Sequence, residues 1–471
     1  MDIHLYKYLE FGSVEFFLLT IGAALVLAYI GAYILKRLGV PQTLGFMIAG
    51  VVLALIGIMT EESVQNLQFF VSLALGLIGY NIGHELSNPN LTGPRIRRLL
   101  VIVLFEATTA FAVVTFLTYM ILSIVGFPNP LPTAILFGAV ASATAPAATA
   151  DVVWESECEG PLSSSLMFVL AADDIAAVIL TNSAIAFALW IYVPGSMTLT
   201  AVMIEPIIGI IASVAFGIIF GLIFLYPVNS ERDRGKLLEL EIGMVILLIG
   251  FIEFVNWYLE SLGFYIHISD IFAAMVFGYL VRSRIDHDKE QVPKLLERVM
   301  SPVVMVFFVM VGARMAQLLS TSETIYLIVI TATLYLIGRT LAKYFGAAIG
   351  GRIVNEVPVI QRYLGGCLLC QAGVALGLSF IIEETFIALG GEAQIMGTFI
   401  LGVVALSTMV LEMVGPLAVK QSLKAAGEFP EDHIIFEPHH TTLTDVADDK
   451  TSLADLGDET LDVDFEDESN L

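Results

Sequence analysis

Apolar runs of about 20 residues recur along this chain, and they limit its possible folds more than any other feature. A run of that length, wound as an α-helix, crosses the roughly 30 Å hydrocarbon layer of a bilayer. Of the 471 residues, 57% are hydrophobic and 14% are charged, and the mean hydropathy is +0.85. The pattern predicts an all-α, polytopic membrane protein whose surroundings are the lipid bilayer of the cell membrane.

Charged and Pro/Gly-rich breaks divide the apolar sequence into thirteen predicted spans. The first residues, MDIHLYKYLE, lack a basic n-region, so we expect the first run to be a retained span and not a signal peptide. The predicted spans cover residues 14–35, 41–58, 64–83, 99–125, 131–150, 162–192, 200–227, 237–258, 262–281, 301–318, 324–349, 358–388 and 393–419.

The distribution of basic residues supports this count and predicts an orientation. Of the six loops that follow odd-numbered spans, five contain Lys or Arg and the loop after span 5 contains neither, whereas loops after even-numbered spans contain none. By the positive-inside rule, the N-terminus lies outside and the C-terminus lies in the cytoplasm. The basic residues of the odd loops are Lys36, Arg37, Arg95, Arg97, Arg98, Arg232, Arg234, Lys236, Arg282, Arg284, Lys289, Lys294, Arg298 and Arg352.

Composition changes after residue 420, which separates a predicted transmembrane domain (1–420) from a tail (421–471). The tail has 15 acidic and two basic residues, a net charge of −13, and is predicted to be a disordered cytoplasmic segment. It contains no G-x-G-x-x-G fingerprint. We expect no bound cofactor and no nucleic-acid partner.

Two predicted spans are interrupted at matching places in the two halves of the chain. The fifth contains SATAPAAT, with Pro146 at its centre, and the twelfth contains GGCLLCQAGVALG, with Gln371 and Gly373. If spans 1–6 and 8–13 are repeats, their odd offset of seven spans inverts one half relative to the other. Paired interrupted helices in inverted repeats indicate a transporter's binding site near the bilayer midplane. Cys367 and Cys370, within the second interruption, are expected to be small buried side chains.

The sixth span contains LAADDIAAVIL, which puts Asp173 and Asp174 deep in an apolar helix. Intramembrane acids are costly and indicate a functional site. Adjacent helical residues point about 100° apart, so this pair cannot form an aspartyl-protease dyad, and no enzymatic activity is expected. Arg339 and Lys343 share one face of span 11 and are the candidate partners, a choice that the sequence leaves open.

These residues resemble the monovalent cation:proton antiporters of the Kef/Nap kind. QTLGFMIAG, FFVMVGARM and AKYFGAAIGGR are similar to segments of that family, and LAADDIAAVIL is similar to the Asp-Asp signature of its electrogenic sodium/proton branch. The resemblance implies crossing discontinuous helices, a homodimer, and exchange of Na⁺, and possible exchange of Li⁺, for H⁺ by alternating access. It also implies that Asp174 binds the ion or proton, that Asp173 pairs with Lys343, and that Ser142 and Thr144 are oxygen neighbours.

The alternatives are a K⁺/H⁺ antiporter on the same scaffold, or a passive cation channel or sensor. Weaker candidates for the pathway are acids in other spans and two residues that end span 3. They are Glu106, Glu253, Asp270, His84 and Glu85.

Overall fold

The computed structural model describes residues 16–37, 40–85, 93–193, 199–228, 234–264, 266–284, 291–319 and 322–429. Within these ranges the chain forms helices and no β-strand, which confirms the all-α class. The helices are α1 (Phe17–Arg37), α2 (Gln42–Leu55), α3 (Glu61–Asn66), α4 (Phe69–Glu85), α5 (Gly93–Val125), α6 (Pro130–Ala141), α7 (Pro146–Glu155), α8 (Pro161–Tyr192), α9 (Leu199–Val228), α10 (Arg234–Ser261), α11 (Asp270–Arg284), α12 (Gln291–Leu319), α13 (Ser322–Ile353), α14 (Pro358–Cys367), α15 (Gly373–Ile387) and α16 (Gly391–Ala425).

Each predicted span overlaps one helix or two helices separated by a short break. Among the described helices, seven are long and apolar enough to cross a membrane, and they are α1, α5, α8, α9, α12, α13 and α16. Shorter apolar helices, such as α2, α4 and α6, lie between them. The chain is therefore a multi-pass membrane protein.

The fifth and twelfth spans are broken where the sequence predicts. α6 ends at Ala141 and α7 begins at Pro146, while α14 ends at Cys367 and α15 begins at Gly373. The first break follows from local chemistry. Ala145 precedes a proline and is extended (φ −121°, ψ 95°), and Pro146 occupies the first helical position, where its missing N–H has no cost.

The predicted ninth span, 262–281, is wrong at its start, because α11 begins only at Asp270. Residues 266–269 before it are non-helical, and the side-chain amide of Asn256 bonds the backbone of Ile268. Its Oδ1 accepts from Ile268 N and its Nδ2 donates to Ile268 O, both at 2.9 Å. A long-range amide bond of this kind leaves no trace in hydropathy, so the sequence could not indicate it.

Helix packing repeats between the two halves, as expected for related repeats. When spans 1–6 are matched to spans 8–13, α2 corresponds to α11 and α4 corresponds to α12. The contact between α4 and α11 is then the repeat equivalent of the contact between α12 and α2. The pairs α5–α6 and α13–α14 correspond in the same way, as do α5–α8 and α13–α16. α5 and α13 themselves correspond and pack on each other along their lengths. Because α9 stands between the halves as a single connecting span, the second repeat is inverted relative to the first.

Glycines let α2 and α12 approach closely. A Cβ on Gly50 would collide with the Val309 carbonyl, and a Cβ on Gly312 would collide with the Met47 carbonyl. Backbones in membrane proteins come this close where small residues face each other. α2 and α12 are therefore held together by reciprocal contacts.

The last described residues bind back to the helix that carries the aspartates. Glu428, beyond the end of α16, accepts from Leu162 N at 2.6 Å and from Ser163 N at 2.8 Å. A carboxylate at a helix N-terminus satisfies free N–H groups and complements the helix dipole. α16 continues to Ala425, so residues 421–425 are helical. The predicted division at 420/421 and the membrane orientation stay predictions, and residues 430–471 of the predicted tail lie outside the described residues.

Candidate functional site

Asp173 and Asp174 lie in α8, and both are fully buried. Their surroundings come from α5, from α13 and from the two interrupted spans, α6–α7 and α14–α15. Burying two carboxylates is tolerable only if polar or charged groups meet them.

Lys343 of α13 meets the first aspartate. Its Nζ donates to Asp173 Oδ2 at 2.5 Å, to Glu106 Oε2 at 3.0 Å and to the carbonyl of Ser142. All three charged side chains are fully buried. An ammonium has three N–H donors, so these acceptors satisfy it completely.

Asp174 lies against the first break. Its Oδ1 accepts from the backbone N–H of Thr144 at 3.3 Å, and the Thr144 hydroxyl donates to the Leu170 carbonyl at 3.3 Å. The N–H of Thr144 is available because the backbone is not helical there. The broken helix therefore provides a donor to one carboxylate, while α13 provides a cation to its neighbour.

The two breaks touch each other through backbone groups. Ala145 N donates to the Cys370 carbonyl at 3.1 Å, which fixes the crossing of the two interrupted spans. Within the second break, Gln371 Nε2 donates to the hydroxyl of Tyr335 at 2.8 Å. Gly373 is the first residue of α15, as Pro146 is the first residue of α7.

Arg339 binds both breaks at once. It donates to Ala141 O at 3.1 Å and Ala143 O at 2.7 Å in the first break, and to Leu369 O at 2.8 Å and Cys370 O at 3.2 Å in the second. These carbonyls lie at the C-terminal, electronegative ends of α6 and α14. A guanidinium that stays charged and offers several donors is suited to that position.

The structure thus distinguishes the two basic residues that the sequence left as alternatives. Lys343 is the one that contacts Asp173, and Arg339 contacts carbonyl oxygens one helical turn away. The hydroxyl of Ser142 donates within its own helix to Ala139 O at 2.6 Å, and its carbonyl accepts from Lys343.

The model of the family described as "Sodium/hydrogen exchanger, transmembrane" matches residues 22–420, most of the chain. The chain belongs to this exchanger family. The exchanger is accordingly a cation/proton transporter, and the matched region includes both breaks, the aspartate pair and Lys343.

Solved structures confirm the fold. The sodium proton antiporter MjNhaP1 from Methanocaldococcus jannaschii, solved at pH 8, matches with a TM-score of 0.67 and 16% identity, covering 88% of this exchanger and 100% of that chain. An electron-microscopy structure of the same antiporter matches with a TM-score of 0.64 and 17% identity, covering 92% and 100%. A comparison with curated protein sequences finds no match.

The other acids suggested by the sequence divide between the site and the rest of the exchanger. Glu106 belongs to the Lys343 cluster. Glu253 is exposed on α10, and Asp270 begins α11, where its Oδ1 accepts from Ile271 N at 2.8 Å. His84 is partly exposed near the end of α4, and the side chain of Glu85 lies outside the described residues.

Three further buried acids of the exchanger were not predicted. Glu241 accepts from the Tyr80 hydroxyl, Glu412 accepts from the Thr43 hydroxyl, and Glu383 lies 3.8 Å from Arg314. Each is an acid in an apolar helix, and that was the available signal. An acid in such a helix does not reveal its partner, however, because the partner comes from a distant helix.

Proposed function

We propose that this exchanger carries Na⁺ against H⁺ by alternating access, as an Asp-Asp antiporter of the Kef/Nap kind. The observation that carries the proposal is the pair of fully buried neighbouring aspartates, one bonded to Lys343 and the other to the first helix break. Because the two carboxylates have such different neighbours, Asp174 can bind a cation while the ion pair between Asp173 and Lys343 weakens in response.

In this proposal Asp174 is the ion- and proton-binding carboxylate. Na⁺ prefers hard oxygen ligands, and a carboxylate beside opened backbone is a source of them. The oxygen atoms of Thr144 and Ser142 lie in that break, and Thr144 N already bonds Asp174. Competition between Na⁺ and H⁺ for one carboxylate couples the two fluxes, because the site cannot hold both.

Asp173 and Lys343 form the ion pair that responds to the cation. Arrival of Na⁺ beside Asp174 attracts Asp173 and weakens its bond to the ammonium. Protons leave the site as the cation enters and return from the opposite side after its release. If the total charge of the protons moved per Na⁺ differs from the charge of the Na⁺ itself, transport is electrogenic. The driving force for exchange then changes by about 2.3 kcal/mol per net charge for each 100 mV of membrane voltage.

Alternating access is supported by the architecture. Inverted repeats that cross at broken helices allow one group of helices to rock against the other around a fixed site. A passive channel or sensor needs neither the buried ion pair nor the crossing. Na⁺ is favoured over K⁺ because the matching family is described as a sodium/hydrogen exchanger and the solved neighbour is named a sodium proton antiporter.

The assembly and location belong to the same proposal. We expect a homodimer in the cell membrane with the N-terminus outside, on the basis of the family resemblance and the basic loops. Cross-linking in native membranes would test the dimer, since a monomer alone would contradict it.

Transport by purified protein in proteoliposomes tests the function. Gradients of Na⁺, Li⁺ and K⁺ are imposed with and without a membrane voltage, and a trapped pH dye reports proton movement. Na⁺ and Li⁺ should move protons, K⁺ should not, and voltage should change the rate. Lowering the pH should raise the apparent KM for Na⁺, because protons compete for Asp174.

The substitution Asp174→Asn should reduce exchange to the rate of protein-free vesicles, because an amide neither titrates nor neutralises a cation. The matched control is Glu241→Gln, an acid-to-amide change at the buried Tyr80 partner in α10. It should exchange at the wild-type rate. Full exchange by Asp174→Asn would refute the assignment, and proton movement with K⁺ but not Na⁺ would favour the potassium alternative.

A further inference from the structure

Lys343 has two carboxylate partners, and the exchange mechanism uses only one of them. Asp173 lies in α8 and Glu106 lies in α5, and both bond the same fully buried ammonium. The question is what happens to Lys343 when Na⁺ draws Asp173 away. A buried charge that loses its partner costs about 3–5 kcal/mol, which would oppose cation binding.

Helix packing keeps Glu106 beside Lys343. α5 and α13 approach so closely that a Cβ on Gly346 would lie 2.7 Å from the Glu106 Cα. A Cβ on Gly350, one turn further along α13, would lie 2.9 Å from the Ile102 Cα of α5. The Glu106 carboxylate and the Lys343 ammonium therefore belong to one tightly packed helix pair, whereas Asp173 reaches them from a different helix.

The acceptors of Lys343 show what remains when Asp173 is withdrawn. The ammonium would retain Glu106 Oε2 at 3.0 Å and the Ser142 carbonyl. Only Glu106 carries a compensating charge. Arg339, one turn away on the same face, is bonded to the carbonyls of both breaks and adds no negative charge.

We propose that Glu106 is the second docking carboxylate of Lys343, which holds the ammonium when a bound cation displaces it from Asp173. Glu106 is a positioning residue: it acts on the cation through Lys343 and lowers the cost of breaking the Asp173–Lys343 pair. This inference rests on the exchange mechanism proposed above, and it adds a residue that the mechanism does not require.

The test compares apparent KM for Na⁺ and maximal rate in proteoliposomes at one pH. Glu106→Gln should raise the KM by about tenfold, the factor expected for losing a charge-assisted hydrogen bond, with a smaller effect on the maximal rate. Glu241→Gln is again the matched control and should keep the wild-type KM. Glu106→Asp keeps the charge on a shorter side chain and should give an intermediate KM.

A second measurement asks whether Glu106 acts through the lysine. Na⁺-dependent thermal stabilisation of the detergent-solubilised protein reports cation binding without transport. In a Lys343→Gln background, Glu106→Gln should change the Na⁺ concentration for half-maximal stabilisation by less than about twofold. A purely structural role would give the same loss in both backgrounds and would overturn the inference.

The outcomes separate this inference from the proposed function. If wild-type protein exchanges Na⁺ for H⁺ and Glu106→Gln keeps the wild-type KM, the docking role is wrong and the function stands. If wild-type protein shows no exchange, the function itself is wrong. If Glu106→Gln does not fold, Glu106→Asp decides, and an unchanged KM in that variant overturns the docking role.

Discussion

The two helix breaks are equivalent in the repeat, yet they differ in what surrounds them. In the first, residues 142–145, the Thr144 N–H donates to Asp174 and the Ser142 carbonyl accepts from Lys343. The second, residues 368–372, offers carbonyls to Arg339 and Ala145 and contains the neutral Gln371, bonded to Tyr335. Both breaks share Arg339, and of the two only the first bonds Asp174 and Lys343.

This difference indicates that the repeat duplicates a scaffold and not a binding site. Crossing helices open the backbone in both halves, and one arginine satisfies the carbonyls of both. In the proposed mechanism the cation-binding acids come from the first half, through α8, while the second half contributes Lys343. The second break then acts as the structural counterpart that keeps the first one open, an interpretation that substitutions in each break can test.

The largest effect is expected at the residue that the two breaks share. Arg339→Met keeps an unbranched apolar side chain and removes every bond to the four carbonyls, so both breaks lose their charged partner. We expect the free energy of unfolding to fall by about 3–5 kcal/mol, measured by thermal unfolding in detergent. Arg362→Met, at an exposed position of α14, is the control and should unfold like wild type. Equal stability of the two variants would show that Arg339 does not hold the crossing.

A smaller effect is expected within the first break. Thr144→Val keeps the N–H that bonds Asp174 and removes the hydroxyl that donates to Leu170 O. Losing one hydrogen bond of about 1 kcal/mol beside the carboxylate should raise the apparent KM for Na⁺ by about fivefold. Thr118→Val, where the hydroxyl bonds Val114 O inside α5, should leave the KM at its wild-type value.

The smallest effect on transport is expected in the second break. Gln371→Leu removes the bond to Tyr335, and we expect a stability loss of about 1 kcal/mol with a KM for Na⁺ within about twofold of wild type. Transport kinetics and thermal unfolding of the same preparation provide both numbers. A KM change as large as that of Thr144→Val would mean that both breaks bind the cation and that the proposed asymmetry is wrong.

The sequence predicted the breaks well, and it did so for local reasons. Pro146 cannot donate a helical bond and restricts the residue before it, so the end of one helix and the start of the next are determined within a few residues. The start of α11 was mispredicted, since it depends on an amide from Asn256, twelve residues before Ile268 on another helix.

The candidate site was predictable in its members and only partly in its contacts. Adjacent acids in an apolar helix stand out in any hydropathy profile, as do Arg339 and Lys343. Which of the two basic residues meets Asp173 depends on the rotation of α13, which places Lys343 at the acids and Arg339 at the carbonyls. Glu106 was visible as an intramembrane acid, but its bond to Lys343 was not.

What the sequence alone determined is the class of the molecule: the number and limits of most membrane helices, the two breaks and the acids that need partners. Hydropathy and helix breaking are properties of short windows, so a linear reading is sufficient for them. Tertiary structure decided the pairings. Lys343 meets Asp173 across 170 residues and Glu106 across 237 residues. Contacts at that separation exist only where close helix packing brings the side chains within bonding distance.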